Sequence, residues 1–307
     1  MQTAAKTAPA SDDLRELIIY AIIIGVKLGE MYMRIRDYSL PAGWYPRDPG
    51  EVSRFLSEQK ERGKSRAAVS PHAGWYYSGR IASRAIAGLD PDVQTVAVFG
   101  GHLPGGSPPL FALEDAVKTP FGNLPIDDEL RSALFKKLNG VEDRYRDNTV
   151  EVLLPMVRFF FPGAALLWIR LPAGAVSGEM GKTIAKVAAE LNRKINVIAS
   201  TDLTHYGSNY GFSPKGAGKA ALDWVREVND AGFIQAVESG SCKDVLARSE
   251  RDSSACSAGA VLGAMGFAQT LGQGGFRLLE YGSSADMRDE GEVPDSFVGY
   301  AAMTCQS

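Results

Sequence analysis

The amino-acid sequence predicts an α/β protein: a single three-layer domain in which a central mixed sheet lies between helices. Three observations carry that expectation. Short apolar runs of strand length, at residues 95–99, 164–169 and 195–200, alternate with longer segments of helical periodicity. Hydrophobic residues make up 45% and charged residues 22% of the 307, which is enough apolar surface for a full core. No internal repeat, coiled-coil heptad or linker long enough to divide the chain breaks the pattern. The division expected is an N-terminal extension, residues 1–37, followed by one α/β domain, residues 38–307.

Residues 1–13 are small and polar. Residues 17–26 are almost wholly apolar but too short to span a bilayer, and Lys27 and Glu30 interrupt their continuation. Asp12, Asp13 and Glu16 stand where a signal peptide needs positive charge. The segment reads as a helix or strand packed on the domain or on a second subunit, so a homo-oligomer is in view. Residues 40–50 form an irregular, aromatic-bearing loop and 51–60 a helix. Residues 67–69 are a strand running through Ser70-Pro71 into a tight turn with His72 and Gly74. The helix expected next, 78–89, places Ile81, Ala85 and Leu89 on one face.

The 95–99 strand ends in Gly100-Gly101-His102 and a Pro/Gly-rich loop. A strand at 110–117 and a turn at 119–125 follow, and then Asp127-Asp128 opens a helix to Leu138. Residues 148–161 have helical spacing, with Pro155 set to break or kink the helix. After the 164–169 strand come a helix at 177–191 and the 195–200 strand, which leads at once into Thr201-Asp202-Leu203-Thr204-His205. Helices at 219–238 and 242–248 precede an apolar, small-residue helix at 257–271. Strands at 276–281 and 296–303 close the chain, with a charged loop between them.

A net charge of -3 without a basic stripe gives no electrostatic case for nucleic acid or an anionic membrane as partner. Three cysteines without paired spacing, Cys242, Cys256 and Cys305, fit a reducing, cytoplasmic setting better than a disulfide scaffold.

The three histidines, His72, His102 and His205, each fall just past the carboxyl end of an expected strand. Ligands of open α/β sheets bind there, so neighbouring strands would bring the imidazoles to one crevice. A histidine taken singly is ordinarily structural or exposed; three in the same kind of place argue for a shared site. Cys256 begins the small-residue helix, where the dipole favours a thiolate, and two imidazoles plus a thiolate leave a metal with open positions. Cys242 and Cys305 lack that setting and read as packing residues. Asp202, three residues before His205, is placed to orient that imidazole or to join the metal. Glu151 is either an acceptor for a histidine N–H or a surface residue. Trp44, Trp75, Tyr76 and Tyr77 read as an aromatic-lined groove, with core packing the alternative for at least two of them.

The segment Pro71-His72-Ala73-Gly74-Trp75-Tyr76-Tyr77-Ser78-Gly79 resembles the histidine motif of the Memo-like family. Further stretches resemble the family in the same order: Ala42-Gly-Trp-Tyr-Pro-Arg-Asp-Pro, Phe99-Gly-Gly-His102, and Thr119-Pro-Phe-Gly-Asn-Leu-Pro-Ile-Asp. Thr149-Val-Glu151-Val-Leu-Leu-Pro, Ala199-Ser-Thr-Asp202-Leu-Thr-His205-Tyr-Gly and Asp295-Ser-Phe-Val-Gly-Tyr-Ala-Ala complete the series. The resemblance runs from about Leu40 to Met303. It implies a fold shared with the class III extradiol ring-cleaving dioxygenases, which hold non-haem iron(II) with two histidines and a carboxylate and use a further histidine as acid/base. In Memo-like proteins a cysteine takes the carboxylate's place.

Carried onto this chain, the resemblance makes His72, His102 and Cys256 the metal ligands and His205 the acid/base, with Asp202 beside it. Trp44 falls at the mouth of the pocket; Tyr76, from the aromatic-lined groove and not from the resemblance, is expected to contact the substrate with it. The function expected is that of a metal-dependent redox protein of non-haem iron dioxygenase type, acting on a small aromatic or other electron-rich substrate. The alternative is a non-catalytic metal- or peptide-binding regulatory protein. Iron(II) is the metal first expected; exchanging carboxylate for thiolate softens the site and makes copper(I) or zinc competitive. A zinc hydrolase ranks behind both, since no phosphate loop or anion clamp stands out.

Overall fold

A computed structural model describes residues 33–59, 62–289 and 292–306; the apolar segment 17–26 lies outside the described residues. The strands in chain order are β1 (Ile35–Arg36), β2 (Ala67–Ser70), β3 (Thr95–Leu103), β4 (Leu110–Phe111), β5 (Ala116–Thr119), β6 (Gly122–Pro125) and β7 (Val141–Glu142). They continue as β8 (Ala165–Pro172), β9 (Ile195–Ser200), β10 (His205–Gly207), β11 (Phe276–Ser283) and β12 (Ser296–Cys305). The helices are α1 (Pro49–Leu56), α2 (Trp75–Ala87), α3 (Asp128–Lys137), α4 (Asn148–Glu151) and α5 (Leu154–Phe160). After them come α6 (Val176–Glu190), α7 (Lys219–Trp224), α8 (Ala231–Glu238), α9 (Cys242–Asp252) and α10 (Ala258–Thr270).

The main sheet is mixed and runs β12-β2-β9-β3-β8-β4-β7, with β10 and β11 also paired to β12. The centre, β2-β9-β3-β8, is parallel, and β12 and β4 flank it antiparallel. Central strands covered on both faces are mostly apolar, and the polar exceptions, among them Thr95, Arg170, Asn196 and Ser200, are buried and hydrogen-bonded. Alternate residues feed two cores. Ala97, Phe99 and Val197 join one with α6, α8 and α10, while Val96, Val98 and Ile198 join the other with α1, α2 and α5. The expected three-layer, mixed-sheet architecture is therefore present.

Helix α10 is buried all round because it lies between the sheet and α6. Small residues let the two helices touch: a methyl group at Gly181 would overlap the Gly263 carbonyl oxygen.

Departures from the sequence reading have local causes. Helix α2 starts at Trp75, three residues early, capped by Gly74. Strand β3 continues through Gly100-Gly101 to Leu103, because glycines alone fit there against Thr149, Val150 and Ser257. Its register with β8 slips between Gly100 and Leu103, and His102 takes φ 57° at that irregularity. The strand expected at 110–117 is two, β4 in the main sheet and β5 in a separate β1-β5-β6 sheet. The 148–161 helix breaks into α4 and α5, with Pro155 in the first turn of α5, where its missing N–H is no loss. The helices expected at 219–238 are joined by a π-helical segment, Val225–Asp230. Strand β10 was not expected; it pairs His205–Gly207 with Val298–Ser296.

Candidate metal centre

Strands β2, β9 and β3 are consecutive neighbours, so the residues past their carboxyl ends meet at one rim of the sheet. His72 lies two residues beyond β2 and is 1% exposed. Its Nδ1 is 2.8 Å from Ser200 Oγ at the end of β9, and its backbone N–H donates to Asp202 Oδ1 at 2.7 Å. The His72 carbonyl accepts from Asn148 Nδ2 at 3.0 Å. His102 comes from the irregular end of β3, and its Nδ1 is 3.0 Å from Asp147 Oδ2. The two imidazoles meet edge to face, with centroids 5.1 Å apart.

Cys256 closes the group. Its Sγ is 3.3 Å from His72 Nε2, and one donor atom each from His72, His102 and Cys256 lie within 4.8 Å of one another. Cys256 precedes Ser257, the cap of α10, and so stands outside the helix it was expected to begin. Its backbone N–H donates to the Asp202 carbonyl at 3.2 Å, which ties the sulfur to the loop after β9.

The donor set fits a transition metal. Ser200 and Asp147 occupy the Nδ1 side of the two imidazoles, so Nε2 is the nitrogen of each ring that would bind a metal once its proton is displaced. Asp147 is itself held by the Thr149 N–H, the Thr149 hydroxyl and Arg170. Arg170 is buried and also donates to the Gly101 carbonyl at 2.9 Å, locking the strand end that carries His102.

Electrostatics follow the same geometry. Burial would raise the Cys256 thiol, but the facing His72 and His102 outweigh it and hold the group well below its ordinary value. Burial would lower His102, yet hydrogen bonds to Asp147 and Cys256 raise it to about 10. Burial lifts Asp202 above the ordinary carboxylate value despite the charge of His72. Cys256 is thus favoured as thiolate, the form that binds metal.

The remaining residues singled out in the sequence fall as follows. Asp202 Oδ2 is 3.8 Å from His72 Nε2, so its carboxylate serves His72. The ring of His205 instead turns Nδ1 to the Leu203 carbonyl at 3.2 Å and meets Tyr210 edge to face at 4.9 Å. His205 and Trp44 both line an open cavity of about 760 Å³ whose floor holds His72 and His102. Tyr77 lines it as well, whereas Tyr76 is 69% exposed and packs on Tyr77 outside the lining. Trp75 is core, packed at a tilt against Phe55 and donating its indole N–H to the Val152 carbonyl.

Glu151 is neither exposed nor bonded to a histidine. It is 3% exposed and accepts from the Ser39 and Leu40 backbone N–H groups, the Ser39 hydroxyl and Tyr45 Oη. The carboxylate that does bind a histidine N–H is Asp147, which the sequence reading missed. Its one legible signal was an Asp at the N-cap of a helix, which does not point to His102. Among the described residues no helix is long and apolar enough to cross a membrane.

The chain matches the Memo family of Memo-like proteins over residues 36–304. A MEMO1 family protein of Pyrococcus abyssi (strain GE5 / Orsay) is 30% identical, over 82% of this chain and 91% of its own length. Another, from Methanococcoides burtonii (strain DSM 6242 / NBRC 107633 / OCM 468 / ACE-M), is 31% identical over 77% of this chain and 84% of its own. A crystal structure of an uncharacterized protein from Escherichia coli K12 aligns with a TM-score of 0.41 and 13% identity, covering 77% of this chain and 99% of that one. Matched over nearly all of its α/β domain, the chain belongs to the Memo-like family.

Proposed function

We propose that this protein is a metal-dependent redox enzyme acting on a small aromatic or other electron-rich substrate. His72, His102 and Cys256 hold the metal, and His205 moves the substrate's proton. One observation supports the reading above others: three donors from separate segments come within 4.8 Å of one another, and two of them, His72 and His102, line a cavity whose wall also carries His205. Iron(II) is the metal the family resemblance leads one to expect, with copper(I) and zinc admitted by the sulfur; bound there, it would supply Lewis-acid and redox chemistry at its open positions.

The chain's own residues do the rest. Ser200 and Asp147 hold the His72 and His102 rings in place through Nδ1, and Asp202 steadies the His72 backbone. The Leu203 carbonyl accepts a hydrogen bond from His205 Nδ1–H, which leaves Nε2 as the nitrogen to accept a proton from a substrate hydroxyl and return it later. Trp44 and Tyr77 offer flat walls for a ring and limit its access to water.

Metal analysis of protein purified without added metal, with Cys256→Ser alongside, tests the centre. Near-stoichiometric metal in the wild type and a large loss in the variant are expected. Oxygen uptake over a panel of catechols tests the chemistry, with His205→Ala expected to keep its metal and lose turnover. Metal-replete protein that turns over none of them would end the enzymatic reading.

A second reading, a non-catalytic peptide site, draws on the cavity's open mouth and its size, which suits a ligand larger than one ring. Peptide binding unchanged by His72→Ala would favour it.

A further inference from the structure

The cavity above the His/His/Cys cluster is chemically two-ended. One end holds His72 and His102; the other is built by Asn209 and Tyr210 after β10, by Ser284 and Arg288, and by Ser296 at the start of β12. Strands β12 and β3 are three places apart in the order β12-β2-β9-β3, or about 14 Å at ~4.8 Å per strand. That span is long enough for a single ring lying between the two ends.

Charge divides the two ends. Arg288 is the one Lys or Arg among the cavity's described lining residues, and its side chain is exposed. Asp286, two residues before it, is already taken by Arg226 and by the Ser283 backbone N–H. The one carboxylate in the lining, Asp202, is buried and committed to His72, so it offers nothing to a cationic ligand. A guanidinium at an aromatic-walled mouth is instead suited to a carboxylate, which it grips with two parallel N–H donors.

We propose that Arg288 selects the substrate: the ligand of this cavity is a small aromatic acid, with its carboxylate on Arg288 and its ring between Trp44 and Tyr77. This deepens the function proposed above and rests on it for the orientation of the ring, though not for the recognition of charge. Ser284 and Asn209 border the same end and add neutral hydrogen-bonding groups. Arg288 is a binding residue here and takes no part in proton or electron transfer.

The test compares 3,4-dihydroxybenzoate with 3,4-dihydroxybenzamide, which has the same shape without the charge. Binding is measured by isothermal titration calorimetry on the full chain as purified, with metal content determined on the same samples. The acid is expected to bind up to about fivefold more tightly than the amide, as an ion-paired hydrogen bond to an exposed arginine allows. Arg288→Gln should abolish the preference, Arg288→Lys should retain part of it, and raised salt should narrow it. Equal affinities in the wild type, no binding of either compound, or a preference that survives Arg288→Gln would each overturn the proposal. Any of those with a full metal complement would leave the metal-centre reading standing. An acid preference lost in Arg288→Gln on metal-free protein would support Arg288 and count against the metal centre alone.

Discussion

Replacing Glu151 tests how the cavity's outer wall is held. Its buried carboxylate accepts from four donors on the segment that carries Trp44: two backbone N–H groups, the Ser39 hydroxyl and Tyr45 Oη. Leu40 and Tyr45 are themselves buried, so water does not readily replace the lost acceptor at those positions. Hydrogen bonds to a charged group contribute ~1.5–3 kcal/mol each, and donors left buried and unpaired cost ~1–3 kcal/mol. Relief from no longer burying the carboxylate, and water reaching the half-buried Ser39, offset much of that sum, and a net loss of about 3 kcal/mol is expected for Glu151→Ala. At ~2.1 cal/mol/K per residue, the unfolding entropy of 307 residues is about 640 cal/mol/K, so Tm should fall by about 5 °C. Thermal and urea unfolding measure the loss, and limited proteolysis should show earlier cleavage within residues 38–45. Glu151→Gln, which keeps the shape but turns an amide N–H₂ toward donors, should fall between. A Glu151→Ala protein within 1 kcal/mol of wild type, with the 38–45 segment equally protected, would refute the reasoning.

Two further outcomes are expected. Asp147→Asn removes the negative charge facing His102 Nδ1 while Arg170 keeps its contact with Asp143; metal affinity should drop ~10–100-fold with the fold intact, read by competition against a chelator. Asp230 is buried beneath Thr204 and Tyr281, and burial raises it from 3.8 to about 6 despite the hydrogen bonds that oppose the shift. The unfolded chain ionises first, so wild-type stability relative to Asp230→Asn should fall as pH rises from about 4 through 6, by ~3 kcal/mol in all, and level off above pH 7. A flat difference across that window, from urea titrations at each pH, would contradict the assignment.

The sheet and its layers were legible in the sequence because local pattern alone specifies them. Strand β9 is legible to the residue, and α6 and α10 to within a residue or two: α6 has an amphipathic spacing, while β9 and α10 are short continuous runs that are buried on all sides. The histidines were legible for the same reason: each follows a run that has to be a strand. Neighbourhood was not. That β2, β9 and β3 adjoin is a fact of sheet order, and it alone brings His72 and His102 to 5.1 Å, with Cys256, from 184 positions further along than His72, at 3.3 Å from the His72 ring. Nothing in the residues near Asp147 names His102 as its partner, and nothing near Glu151 names Tyr45. A carboxylate's partner is chosen by which loops the packed sheet brings against it, and that choice depends on contacts 106 residues apart for Glu151 and Tyr45 and 45 apart for Asp147 and His102. Tyr76 and Tyr77 make the same point at one residue's distance, since only the docked angle of α2 turns Tyr77 into the cavity and leaves Tyr76 in water.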